Sequence, residues 1–336
     1  MKALFIGGTG IISTAVTRLA VERGIDLFLL NRGQRAAAPA GARQVKADIT
    51  DEKAVRAAIA GQSFDVVVDW IAFTAPQVER DIALFAGHTG QYIFISSASA
   101  YQKPPSHWYI TESTPLSNPY WQYSRDKIAC EERLIREHRE NGFPATIVRP
   151  SHTYGDTQIP EAVGSWSSPW TLIDRMRKGA KVIVPGDGTS LWTVTHNSDF
   201  AKGFVGLMAN VHAIGHAFHI TSDEALPWDQ ITQVTAAAAG AEARIVHIPS
   251  DFIAAFKPDE RGGLIGDKAR SAVFDNTKIK SFVPGYCATV PFSEGVRRSV
   301  AWFEAHPEAR TIDETFNAQV DRIIAACESG LQQAPR

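Results

Sequence analysis

The segment LFIGGTGIIS, residues 4–13, constrains this chain more than any other. Three apolar residues run straight into a turn built on Gly7, Gly8 and Gly10, and an amphipathic stretch begins immediately after it. Gly7, Gly10 and Ser13 keep the spacing G-x-x-G-x-x-S. Glycines permit the tight reversal such a turn needs. A helix that starts there presents unpaired backbone N–H groups and the positive end of its dipole, which together suit a pyrophosphate. Strand, turn and helix in this order are the opening of a dinucleotide-binding βαβ unit. Ser13 stands where a third glycine is usual, and a small residue still permits close helix–strand packing.

The pattern repeats downstream. Short apolar strands are expected at 3–6, 27–30, 44–46, 66–69, 92–96 and 145–149, with helices at 12–23, 52–59, 77–85 and 123–140. Asn141-Gly142 stops the last of these. Strands alternating with helices predict an α/β, doubly wound parallel sheet covered on both faces. After Pro150 the texture changes. Residues 156–192 carry Pro160, Pro169 and Pro185 with Trp166, Trp170 and Trp192, and read as a loop-rich binding lid. A strand at 217–221, an alanine-rich helix and an amphipathic tail helix at 312–327 follow, with 332–336 expected to fray.

The chain carries 34 Lys and Arg against 36 Asp and Glu, so its bulk charge invites neither nucleic acid nor an anionic membrane. Cys130, Cys287 and Cys327 are too far apart for a metal motif or disulfide framework, which suggests a reducing, cytoplasmic setting. No metal site is expected: His212, His216 and His219 lack acidic partners at ligand spacing.

Strand 27–30 ends in Asn31-Arg32, where NAD-binding versions of the unit place a carboxylate for the ribose. An arginine there suits a 2′-phosphate, so the reading leans to NADP over NAD. Asp48, after the third strand, reads either as an acceptor for the adenine amino group or as a turn residue. Strand 92–96 runs into ISSASAY, which brings Ser97 to the ligand-binding edge of the sheet. WQYSRDK follows at 121–127, with Tyr123 and Lys127 one helical turn apart. A phenol near pKa 10 is a poor base at neutral pH, and an adjacent ammonium is expected to lower it. Ser97 would orient a substrate oxygen while Tyr123 exchanges its proton.

These motifs together resemble the extended short-chain dehydrogenase/reductase family, the NAD(P)-dependent epimerase/dehydratase group, over most of the chain. GGTGIIS is similar to its GGTGFIG, and Tyr123 with Lys127 to its Tyr-x-x-x-Lys. VRPSHTYG at 148–155, PGDGTSLWTVTHNSDFA at 185–201, FHITSDE at 218–224 and FDNTKIK at 274–280 look like later family segments. The resemblance implies a Rossmann-type sheet (1–155 plus roughly 193–222) and a smaller α/β substrate-binding domain (roughly 156–192 and 223–330). It implies catalysis by Ser97, Tyr123 and Lys127. It also implies dinucleotide contacts from Gly7, Thr9, Gly10, Ile11, Ile12, Asn31 and Arg32. Further contacts would come from Asp48, Ile49, Trp70, Ile71, Ala72, Lys127 and Pro150. A homodimer packed through the Tyr-bearing helix and its neighbour is a further implication.

Departures narrow the function. Family dehydratases carry an acidic pair where Ala98 and Ser99 stand, so dehydration is disfavoured. Nucleotide-sugar members carry an arginine at Trp192 and an asparagine at His152 to clamp the diphosphate. An indole cannot neutralise phosphate but suits a sugar face. Ser99, His152 and Trp192 are therefore the expected substrate contacts. The expected function is hydride transfer at a hydroxyl or keto group of a sugar-like small molecule, by a dehydrogenase or an epimerase. The alternative is a non-catalytic dinucleotide-binding regulatory or RNA-binding member, which a local basic patch would favour.

Overall fold

The alternating pattern builds one seven-stranded parallel sheet, seen in a computed structural model that describes residues 1–33 and 38–332. Residues 333–336, most of the segment expected to fray, lie outside the described residues. The strands are β1 (Lys2–Ile6), β2 (Asp26–Asn31), β3 (Arg43–Lys46), β4 (Val66–Asp69), β5 (Tyr92–Ile95), β6 (Ala145–Arg149) and β7 (Ala217–His219). Their order is β7-β6-β5-β4-β1-β2-β3. The order reverses beside β1, where Ile6 pairs with Leu30 of β2 and Asp69 of β4. Such a switch point opens a crevice at the carboxyl ends of the strands.

Strand alternation divides the core. Phe5, Leu27, Leu29, Val68 and Ile93 face α1 (Ile11–Glu22) and α5 (Asn197–Leu207). Leu4, Ile6, Phe28, Val67 and Phe94 face the layer of α2 (Glu52–Ala58), α3 (Ala75–Phe85) and α4 (Gln122–Asn141). Each such side chain contributes roughly 1.5–3 kcal/mol by leaving water.

The expected lid is more regular than its composition suggests. It holds a helix, Trp170–Arg177, and a strand, Lys181–Pro185, paired in parallel with Arg244–Ile248. Pro169 caps the helix and Pro185 closes the strand, so neither interrupts an element. Trp170, Ile173, Met176 and Val182 bury against Phe303. Other two-stranded ladders join His152–Tyr154 to Val194–His196, and Tyr109–Ile110 to Val273–Phe274.

The first turn depends on glycine in two ways. Gly8 has φ +93°, and a Cβ there would stand 2.9 Å from Leu29 Cδ2. Gly24 has φ +71° but open space around it. Gly8→Ala is expected to cost about 1–3 kcal/mol in urea denaturation. Gly24→Ala should cost distinctly less. Equal losses would show that the contact with Leu29 does not matter.

Candidate active site

The glycine turn is held from three sides. Gly7 N–H donates to Leu30 O at 2.9 Å, and Thr17 Oγ1 donates to Gly8 O at 2.8 Å. Asn197 Nδ2 donates to Ile11 O at 2.8 Å, which ties the head of α5 to the head of α1. Ser13 is buried, and its hydroxyl accepts Gly10 N–H at 2.8 Å. Thr9, Ile11 and Ile12 line the same helix start, whose first-turn amides have no partner within the helix.

At the end of β2, Asn31 Oδ1 accepts from Gly33 N–H and Gln44 Nε2, both at 2.9 Å. Arg32 is exposed, its guanidinium 4.0 Å from Asp48. Asp48 holds Thr50 through its backbone N–H at 3.0 Å and hydroxyl at 2.8 Å, and these bonds lower its pKa. Asp48 thus keeps one oxygen in a turn, and Ile49 packs into the core. Trp70 turns inward onto Phe5 and Phe204, with centroids at 5.7 and 4.9 Å, so a ligand at the edge meets its backbone rather than its indole. Ile71 and Ala72 amides are drawn onto Asp69 Oδ1 at 2.6 and 2.8 Å. Pro150 gives its carbonyl to Ala98 N–H.

The three catalytic candidates converge beyond β5. Lys127 is buried and donates to Ala72 O at 2.6 Å and Ile95 O at 2.7 Å. Two of its three protons are thereby spent on the carboxyl ends of β4 and β5. Its Nζ lies 4.5 Å from the Phe73 ring centre and 5.8 Å from that of Tyr123. Burial lowers its pKa to about 8. Tyr123 is packed between Trp121 and Phe73, at 4.8 and 6.2 Å between ring centres. Burial raises its phenol pKa, the Ser97 hydroxyl beside it pulls it back, and Asp267 adds to the rise. Burial thus outweighs the expected depression by Lys127, whose ammonium points to two backbone carbonyls rather than to the phenol.

Ser97 and Ser99 hydroxyls meet at 2.9 Å, and Ser124 donates to Ser99 Oγ at 2.8 Å. Asn118 Nδ2 reaches Ser99 O and Gly266 O, both at 2.8 Å. Ser99 is therefore a buried link behind Ser97. Trp192 is buried in the same way. It is 2% exposed, its Nε1 donates to Lys268 O at 3.3 Å, and it packs on Trp228 at 5.2 Å between ring centres. It stands behind His152, 6.1 Å away edge-on. His152 does line a cavity at the sheet edge, with Ile11, Glu161 and Lys268. Burial pushes its pKa well below the usual range, with Lys268 adding, so the imidazole is neutral.

Several residues at this edge escaped sequence reasoning. Asp267 lies beside Tyr123, 4.0 Å from the buried Lys103 ammonium and 3.0 Å from Lys268. They arrive on the segment 261–268, which presses on Trp121. A Cβ at Gly262 would sit 2.4 Å from Trp121 Cδ1, and one at Gly266 2.9 Å from Asn118 Oδ1. The glycines of RGGLIG were the available signal of that close approach. His219, one of the clustered histidines, is buried between Tyr101 (3.0 Å) and the Asp275 carbonyl (2.6 Å). Among the described residues no group of three or more His, Cys, Asp or Glu is arranged to hold a metal. Nor is any described helix long and apolar enough to cross a membrane.

The edge fits a nicotinamide dinucleotide on its own geometry. Gly7, at φ +97°, is a backbone cradle that a side chain would fill against Ile71. Free amides head α1, and the third proton of Lys127 remains for a ligand hydroxyl.

Comparison with known proteins points the same way. Residues 3–84 and 81–221, more than half of the chain, match the model of the NAD dependent epimerase/dehydratase family. A 2′-dehydrokanamycin reductase of Streptomyces kanamyceticus is 25% identical over 293 residues, 85% of this chain and 80% of the relative. The chloroplast stem-loop binding protein of 41 kDa b of Arabidopsis thaliana is 27% identical over 269 residues, 75% of this chain and 67% of the relative. A solved UDP-glucose 4-epimerase from Bifidobacterium longum, in complex with NAD+ and UDP, superposes with a TM-score of 0.73 at 18% identity. The match covers 92% of this chain and all of that one, and it establishes the fold.

Proposed function

The chain belongs to the NAD dependent epimerase/dehydratase family, of the extended short-chain dehydrogenase/reductase type, and from that premise we propose that it is a nicotinamide-dinucleotide-dependent oxidoreductase of a sugar-like ketone or alcohol. The observation that carries this reading is the convergence of Ser97, Tyr123 and Lys127 beyond β5, on the same sheet that carries the glycine turn. A bound dinucleotide supplies the hydride acceptor or donor. Tyr123 exchanges a proton with the substrate oxygen, and Ser97 holds that oxygen by its hydroxyl. Lys127 fixes the ends of β4 and β5 and offers its remaining proton to a ribose hydroxyl.

The raised phenol pKa favours the acid role, hence reduction of a ketone, at neutral pH. The reductase among the relatives supports that direction. Epimerisation shares the same first step. Ala98 and Ser99 bring no carboxyl to the dehydratase positions, which supports reduction over dehydration, although a dTDP-glucose 4,6-dehydratase of Actinoplanes sp. is also a relative. On this reading, residues 1–155 and 193–222 hold the dinucleotide, while 156–192 and 223–330 cover the substrate. The stem-loop binding relative favours a second reading, a dinucleotide-binding RNA partner.

Arg32 supports NADP(H), since no carboxylate ends β2 and the guanidinium is solvent-facing. Fluorescence titration is expected to give tighter binding of NADPH than NADH. Arg32→Ala should weaken NADPH about tenfold, about 1.4 kcal/mol, and leave NADH unchanged. Equal loss for both would reassign Arg32 to adenine. No binding of either would overturn the enzyme reading and favour the RNA one.

A further inference from the structure

We infer that Glu161 is a specificity-determining residue that reads an ammonium group on the substrate, so that the molecule turned over is an amine-bearing polyol. The inference deepens the oxidoreductase reading and rests on it.

The cavity at the sheet edge runs from Ile11 at the head of α1, past His152, to Glu161, Trp166 and Lys268. Lys268 of its lining adjoins Asp267, whose charge is felt at Tyr123, so one segment, 261–268, borders both the cavity and the candidate catalytic residues. Glu161 Oε2 is fully enclosed and has no hydrogen-bond partner among the described residues. The chain makes room for this carboxyl: a Cβ at Gly164 would lie 1.5 Å from Glu161 Oε1. The other charges around it are already matched. Lys257 is 2.5 Å from Glu260, and Lys268 is 3.0 Å from Asp267 with its ammonium 4.8 Å from the Trp192 ring centre.

An enclosed carboxyl without a donor is unfavourable, and burial holds its pKa well above the usual carboxylate range. A ligand that brings a donor relieves that cost. A hydroxyl supplies one hydrogen bond. An ammonium supplies a charge-assisted bond and lets the carboxyl ionise, which is the larger gain. A phosphate would meet Glu161 and Glu260 and find the nearby cations engaged. Neutral His152 can accept a second donor from the same polyol.

The test is calorimetric titration of the full chain, without cofactor, with kanamycin and with its per-N-acetylated derivative. Two buffers of different ionisation enthalpy count protons. Kanamycin is expected to bind at least tenfold more tightly and with release of protons. Glu161→Gln should lose both the preference and the proton release. Should that variant not fold, the wild-type comparison alone decides. Equal or tighter binding of the acetylated sugar, no binding of kanamycin, or a preference that survives in Glu161→Gln would overturn the inference. Failure of the chain to bind NADPH or NADH sinks the oxidoreductase reading but leaves this calorimetric comparison intact, so the two fail separately.

Discussion

Tyr123→Phe is expected to cut turnover by about 100- to 10,000-fold while leaving dinucleotide affinity unchanged. The ring packing between Trp121 and Phe73 survives the change, and only the proton-transfer group is lost. The pH profile supplies a second check. With burial raising the phenol pKa, Tyr123 stays protonated through neutral pH and can act as an acid there. Reduction should therefore hold its rate through neutrality and fall as alkali removes the phenol proton. Oxidation, which needs the phenolate, should rise with pH over the same range. Lys127 titrates earlier, at about 8. The profile of kcat/KM, which reports free-enzyme groups, should then carry an inflection near pH 8 that Lys127→Met lacks. Full activity in Tyr123→Phe would sink the mechanism. An unchanged inflection in Lys127→Met would detach Lys127 from it.

The elements that carry this site differ in how far the sequence exposed them. β1, β4 and α4 are set by local pattern, apolar runs and a helical period closed by Gly142, so they were legible within a residue or two at each end. Tyr123 and Lys127 lie on α4 and Ser97 lies two residues beyond β5, so their places in the fold were legible from the same pattern. The places of Glu161, Asp267 and Lys268 were not, because they reach the edge through tertiary packing from segments without a two-residue or 3.6-residue signature. The burial of Trp192 was hidden for the opposite reason. An aromatic beside a loop suggests a pocket wall, whereas this indole has a backbone acceptor and a second tryptophan to bury against. The lid at 156–192 was misjudged because proline was counted without its position. At an element's end it marks structure rather than its absence.

Arg149→Met should destabilise the protein by about 3–5 kcal/mol in urea denaturation, because it strands a buried carboxylate. Arg149 Nε lies 2.9 Å from Glu131 Oε1, and Nη2 lies 2.5 Å from Oε2, with both side chains almost wholly enclosed. The pair joins β6 to α4, and Ser96 donates to the same carboxylate. Ser96 precedes Ser97, so the pair also aims the end of β5. Arg149→Met with Glu131→Leu removes both charges and should recover most of the lost stability. It should not recover turnover, since Ser96 then has no acceptor and Ser97 is no longer held against Tyr123. Stability and turnover returning together would show that the ion pair only fills space. A single Arg149→Met change that cost less than about 1 kcal/mol would show that water reaches Glu131.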